Sequence, residues 1–312
     1  MRPVFIGGCQ RGGTTLLGSL LGVHSSIVCP PESQFLVAGL RRSENHPSIR
    51  SDRSAADHLR FIERHWRFRL WDLDISDLHV DRQSSFPEVY RQVVSAYALK
   101  TKGSVCDLWI DHTTTNLWYA ENLLRHFPEA RFLHLVRDPR AVVSSLLRMP
   151  WGPSSALAGA QWWLCGLAAG LTAESALGPS VVRRVRYEDL VAQPAQELKA
   201  ISAHLNIEFE AQMIQGGGLD IPRYTEKYHH LASLAPQTSR IDQWRKRLKP
   251  REVEIIEASV GEVLKRLEYV PDYYPLAEPP SRAERLAGDT RDYALRCFVN
   301  PVRNWSRRIY AR

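Results

Sequence analysis

Short runs dominated by apolar residues alternate with stretches of helical periodicity along most of the chain. Pro3–Gly7, Val105–Ile110, Arg131–Val136 and Val181–Val185 read as strands, several of them apolar enough to be buried on both faces. Apolar positions three and four apart predict helices over Thr14–Val23, Asn116–His126, Arg140–Arg148, Ala156–Ala176, Pro194–Leu205 and Pro250–Leu267. Strand followed by helix, repeated, predicts an α/β fold of three layers: a central, mostly parallel sheet flanked by helices.

Residues 35–102 break this alternation. They read as a helical, polar excursion between the first two strands, with Trp66, Phe68, Trp71, Tyr90 and Tyr97 at exposed-looking positions. An insertion there is expected to stand over the carboxyl ends of the strands and shape a pocket for a reactant. After Tyr269 the run VPDYYPLAEPPS reads as a proline-rich linker, giving one domain over 1–270 and a linker with a basic tail over 271–312. No charged residue occurs between Arg148 and Glu174, a stretch long enough to suggest a membrane span. It is rich in Ala and Gly, follows Pro150 and Pro153 and carries Gln161, so a buried helix of a soluble core is the expectation.

Composition bounds the functions. Of 312 residues 44% are hydrophobic and 24% charged, which suits a globular chain with a sizeable core. The net charge of +7 invites an anionic partner, but its distribution matters more than its sum. From Ser281 onward eight Arg face three acidic residues, so five of the seven charges lie in the tail. A basic stripe through the folded body is missing, and nucleic acid is not expected as a partner. The tail, which mixes Arg with aliphatic and aromatic residues, is a candidate for a peripheral membrane contact, a homodimer contact or simple docking on its own domain. The five Cys are widely spaced without CxxC or zinc-ligand spacing, and the chain enters a strand almost at once. Free thiols and a cytoplasmic location are expected, and no metal is implied.

The strongest local signal is FIGGCQRGGTTLLGSLL: a strand, a glycine-rich turn and a helix opening at Thr14. Backbone N–H groups of such a turn and the first turn of the helix form an anion cradle, which makes the fold P-loop-like. Gly8 and Gly13 keep the spacing of the triphosphatase loop GxxxxGK[ST], but Thr14 stands where that loop has the lysine reaching the outer phosphates. The turn is therefore suited to a phosphate without being built for Mg-ATP, with Arg11 as its cation and Thr14 and Thr15 as neutral donors.

A second anion site is predicted in FLHLVRDPRAVVSSLLR. Arg137 leaves the end of a strand, a helix starts near Pro139, and Ser145 follows about two helical turns on, so the cation and the hydroxyl are placed to share one phosphate. Two such sites imply a ligand with two separated phosphates.

In this pair of motifs the chain resembles the sulfotransferases that use 3′-phosphoadenosine 5′-phosphosulfate (PAPS), and most of all their bacterial and tyrosylprotein-type branch. The resemblance spans residues 3 to about 267. It implies that QRGGTTLL, with Arg11, Gly12, Gly13, Thr14 and Thr15, holds the 5′-phosphosulfate. It also implies that VRDPRAVVSS holds the 3′-phosphate through Arg137 and Ser145. VRYEDLVAQP resembles the strand exit whose tyrosine, here Tyr187, lies close to the adenosine, and SRIDQWRKRL resembles the late segment closing over the nucleotide, with Ser239.

Sulfuryl transfer needs an in-line acceptor oxygen, a proton acceptor, and positive charge on the leaving phosphate; a positioned base contributes about 10²–10⁴-fold. The resemblance makes Glu32, in VCPPESQFL, the candidate base. The competing candidate is His112 in WIDHTTTNLW, where relatives usually carry lysine. Arg11 is the catalytic cation, with Lys100 or Lys102 as possible assistants. Expected acceptors are a hydroxyl, less readily an amine, of a small molecule, sugar or phenol. Their expected walls are Phe35–Trp71, Met149–Trp163 and Gly216–His230, which contain Trp66, Trp71, Trp151, Trp162, Trp163, Tyr224, His229 and His230, most of them expected in the core. The glycines at 216–218 suggest a hinge. A P-loop nucleotide or metabolite kinase, and an inactive protein binding the product nucleotide adenosine 3′,5′-bisphosphate (PAP), are the rival readings.

Overall fold

In the computed structural model, residues 1–44, 55–78, 80–81, 83–221, 234–294 and 297 are described. Strand β1 (Arg2–Gly8) runs through the middle of the sheet because its side chains are apolar toward both faces. Phe5 enters one core, Val4 and Ile6 the core on the opposite face, and all three are fully buried. The five strands are all parallel, in the order β2 (Ile27–Val28), β3 (Leu108–Asp111), β1, β4 (Arg131–Val136), β5 (Val182–Arg186). The α/β class and the parallel central sheet are as the sequence predicts. Two details differ: the second predicted strand starts at Leu108, because Val105 is exposed, and β2 is too short to leave a periodic signal.

The chain fills one side of β1 before β4 opens the other, so the loops leaving β1, β3 and β4 converge at the crevice where the strand order reverses. The helices are α1 (Thr14–Leu21), α2 (Phe35–Glu44), α3 (Ala55–Arg64), α4 (Phe86–Lys102), α5 (Ala120–His126), α6 (Pro139–Leu146), α7 (Ala156–Leu177), α8 (Tyr187–Ala192) and α9 (Pro194–Leu205), followed by Pro250–Val260, Glu262–Arg266 and Arg282–Ala294. Part of the helix predicted from Asn116 is a 3₁₀ segment, Thr114–Tyr119, that runs into α5.

The charge-free stretch is α7, and its small residues explain its placement. Cβ atoms added at Gly159, Gly166 and Gly170 would lie 2.7, 2.9 and 2.0 Å from Val143, Cys9 and His134, so α7 approaches α6 and the sheet more closely than any side chain allows. Among the described residues no helix is long and apolar enough to cross a membrane.

The excursion corrects the reading of its aromatics. Phe68, Trp71, Tyr90 and Tyr97 are buried, packed with Phe35 and Trp109 in a core shared with the sheet, and only Trp66 is half-buried under the Arg67 guanidinium. On α4 the set Tyr90, Val93, Val94 and Tyr97 has helical spacing, and that stripe faces inward. The proline-rich run is docked as well: the fully buried Glu257 carboxylate accepts the N–H groups of Asp272, Tyr273 and Tyr274. Ser154 N–H donates to Asp292 at 2.7 Å, which holds the helix Arg282–Ala294 against the body. Most of the remaining tail, 295–296 and 298–312, lies outside the described residues.

Candidate active site

The turn after β1 is shaped by backbone constraints. Gly8 has φ +142°, and a Cβ there would lie 2.3 Å from the Leu135 carbonyl; Gly13 has φ +111°, and a Cβ would meet the Tyr187 ring at 2.6 Å. Gly12 N–H closes the turn on Cys9 O at 2.9 Å, and Arg11 itself sits at φ +67°, a strained conformation for a residue with a side chain. Helix α1 opens at Thr14, so its free N–H groups face the turn.

The second motif meets the first. Asp138 caps α6 by accepting Arg140 N–H at 2.8 Å, and Arg137 swings over the Tyr187 ring with its guanidinium carbon 3.8 Å from the centroid. Arg137 donates to Arg11 O at 3.4 Å and to Arg240 O at 3.3 Å, while its Nε is buried without a partner. Arg11 Nε donates to Ser145 Oγ at 3.0 Å. Arg11, Arg137, Ser145 and Tyr187 therefore form one constellation. Ser239 is exposed in the short turn Thr238–Arg240, one residue from the carbonyl that holds Arg137.

The segment Pro30–Gln34 is held residue by residue at the ends of β2 and β3. His112 donates to the Pro30 carbonyl, Trp71 Nε1 to Pro31 O at 3.0 Å, and Arg67 to Glu32 O at 3.4 Å. Ser33 Oγ donates to the buried Asp111 carboxylate, and Gln34 N–H to Thr113 Oγ1 at 3.3 Å. Asp111 also receives Tyr90 OH and the Thr113 N–H, so β3 anchors the whole loop. The Glu32 carboxylate is part-exposed; Arg67 meets one of its oxygens at 3.1 Å and Gln34 Nε2 the other at 3.1 Å.

His112 is 5% exposed, and its Nε2 is buried with no hydrogen-bond partner. Burial holds the ring below its ordinary value against the pull of Glu32 and Asp111. With the other ring nitrogen donating to Pro30, Nε2 offers a bare lone pair.

The sulfotransferase family matches residues 3–211, more than half of the chain. The chain belongs to this family. It is a transferase of the sulfotransferase kind, and its fold agrees with that of solved relatives. The sulfotransferase domain from the Synechococcus PCC 7002 olefin synthase superposes with a TM-score of 0.59 at 22% identity, covering 86% of this chain and 95% of that one. The sulfotransferase domain from the curacin biosynthetic pathway gives 0.58 at 21% identity, over 87% and 99%. Among curated relatives, nodulation protein NoeE of Sinorhizobium fredii is 27% identical over 292 residues, 82% of this chain and 63% of that protein. A putative protein-tyrosine sulfotransferase of Caenorhabditis briggsae is 22% identical over 219 residues, 68% of each chain.

Several predicted participants of this sulfotransferase are occupied elsewhere. Lys100 pairs with Asp72, and Lys102 Nζ donates to Gly22 O at 2.9 Å, so neither serves the site. Trp71 and Trp163 are core residues; Trp163 Nε1 donates to Arg137 O at 3.0 Å and steadies that turn. Trp151 and Trp162 do pair beside the loop, their rings 6.1 Å apart, with Trp162 donating to Gln10 at 2.7 Å. The glycines at 216–218 are pinned to the end of α1: Gly217 and Gly218 N–H groups donate to Ser19 at 2.9 and 3.0 Å. Tyr224, His229 and His230 lie outside the described residues.

Four arginines, Arg67, Arg148, Arg240 and Arg247, escaped the sequence reading. Arg247 is pulled below its ordinary value, first by burial and then by Arg148, Arg240 and Arg137, which marks a cluster of like charges. The signal was present in SRIDQWRKRL, whose cations outnumber the hydroxyl chosen from it. Arg67 gave no signal, since only the fold brings the excursion to Glu32.

Proposed function

We propose that this sulfotransferase moves the sulfuryl group of PAPS to a hydroxyl of a small molecule, sugar or phenol. The observation that carries the reading is the meeting of Arg11, Ser145, Arg137 and Tyr187 at the carboxyl ends of β1, β4 and β5. Cations separated along one crevice suit the two phosphate positions of this nucleotide, and the like-charged group of Arg137, Arg148, Arg240 and Arg247 gains most from an anion among them. The turn Arg11–Thr15 would hold the phosphosulfate; Arg137 and Ser145 would hold the 3′-phosphate; the Tyr187 ring, already stacked on a guanidinium, would flank the adenosine.

Glu32 is the base in this reading. It is the accessible one of the two candidates, whereas His112 is sealed in with its Nε2 buried. The His112 ring, through its hydrogen bond to the Pro30 carbonyl, helps to hold the loop that carries Glu32. In-line attack forms the acceptor oxygen–sulfur bond, breaks the bond from sulfur to the bridging oxygen and leaves PAP, with the proton on Glu32. Arg11 offsets the charge that grows on the leaving phosphate.

The test is incubation with PAPS and a panel of phenols, sugars and aliphatic alcohols, read by mass spectrometry for PAP and for acceptors heavier by one sulfuryl group. Formation of both supports the assignment. PAP-binding protein that transfers nothing to any class, water included, is the inactive alternative. Glu32→Gln should remove turnover and His112→Asn reduce it; a fully active Glu32→Gln moves the base elsewhere.

A further inference from the structure

Resting on Glu32 as the base, we infer that Arg67 and Gln34 are positioning residues that set the direction of its carboxylate. Each Glu32 oxygen has its own donor: Arg67 Nη1 lies 3.1 Å from Oε2, and Gln34 Nε2 lies 3.1 Å from Oε1. A carboxylate with both oxygens engaged keeps one orientation, and a base displaced by about 1 Å can lose about 10²-fold in rate.

Both donors are themselves held. The Arg67 side chain is 13% exposed, its guanidinium carbon lies 4.8 Å over the Trp66 ring, and the same Nη1 reaches the Glu32 carbonyl. Gln34 sits at φ +52°, a conformation costly for a residue with a side chain. It is kept there by its N–H on Thr113 Oγ1 and by its carbonyl, which accepts Ala38 N–H at the start of α2. That strained backbone turns the Gln34 amide back toward Glu32 two residues earlier. Arg67 comes from the excursion, so the helical insertion and the catalytic loop are joined at the base itself. This gives residues 55–78 a part in the chemistry besides enclosing a pocket.

The experiment measures single-turnover sulfuryl transfer from PAPS to 2-naphthol, with sulfate release to water as a second readout and PAP affinity as the check on folding. Arg67→Met should lower the rate about 10²-fold, and Gln34→Met about 10-fold, with PAP affinity within about 2-fold of the parent. Arg67→Lys, which keeps a donor, should recover about 10-fold of the loss. In a Glu32→Gln background, Arg67→Met should lower the residual rate no further, because its effect passes through Glu32. A full additional loss there overturns the inference, as does an Arg67→Met enzyme at the parent rate while Glu32→Gln is inactive. An active Glu32→Gln enzyme instead overturns the choice of base. If Arg67→Met loses PAP binding, Gln34→Met alone and in the Glu32→Gln background decides by the same two criteria.

Discussion

Arg11 Nε donates to Ser145 Oγ at 3.0 Å, across 134 positions of sequence. The contact joins the turn after β1 to the second turn of α6, so the two anion motifs form one surface. Ser145→Ala removes a hydroxyl that serves both the guanidinium and the proposed 3′-phosphate. A hydrogen bond to a charged group is worth about 1.5–3 kcal/mol, so PAP affinity should fall about 10- to 100-fold, read by calorimetry. Thermal stability should change little. Unchanged affinity would place Ser145 outside the nucleotide site.

The two arginines of the RDPR turn should fail in opposite ways. Arg140 is 3% exposed, paired with Asp138 at 2.7 Å and Glu257 at 2.8 Å, and packed over Trp244. Removing one partner of such a buried network typically costs about 3–5 kcal/mol, so Arg140→Met should lower the urea midpoint sharply. Arg137 has no carboxylate partner among the described residues and a buried Nε without a hydrogen bond. Arg137→Ala should leave stability within about 1 kcal/mol and weaken PAP at least 10-fold.

Stability should fall as pH falls from 7 toward 5. Burial, aided by Arg67, holds His65 at about 4, and burial also lowers His112 and His204 from the ordinary 6.5. Below pH 6.5 the unfolded chain takes up protons that the native histidines refuse, so the native state loses ground down to about 4 for His65. Glu174 adds a loss at still lower pH. Its burial is outweighed by hydrogen bonds from His134 and Arg184, which hold it at about 2, so its contribution is present above 4.5 and lost as pH falls toward 2. Urea unfolding at pH 7 and pH 5 reads the first effect, and His65→Asn should flatten it. Equal midpoints at the two pH values would contradict this account.

What the sequence disclosed depended on whether the signal was local. The βα turns carried their own marks: glycines where φ is positive, Pro139 at a helix start, and strands apolar on both faces, so Arg11, Arg137 and Tyr187 could be assigned to the exits of strands, where the structure has them. Glu32 and His112 were named, but the loop holding them was not. Asp111 at the end of β3, and Arg67 and Trp71 from the excursion, reach Pro30–Gln34 from distant parts of the chain, and tertiary contacts of that kind leave no periodic trace. The aromatics of the excursion were misread for the opposite reason. Polar flanks obscured an apolar stripe on α4 whose helical spacing was present all along.

Calorimetric titration of the protein with PAP in the absence of magnesium, against ATP with magnesium, tests the central claim most directly. A site built from Arg11, Arg137, Ser145 and Tyr187, with Thr14 where a triphosphate loop has lysine, should bind PAP with a Kd of roughly micromolar order without magnesium and bind Mg-ATP far more weakly. Mg-ATP binding tighter than PAP would contradict it.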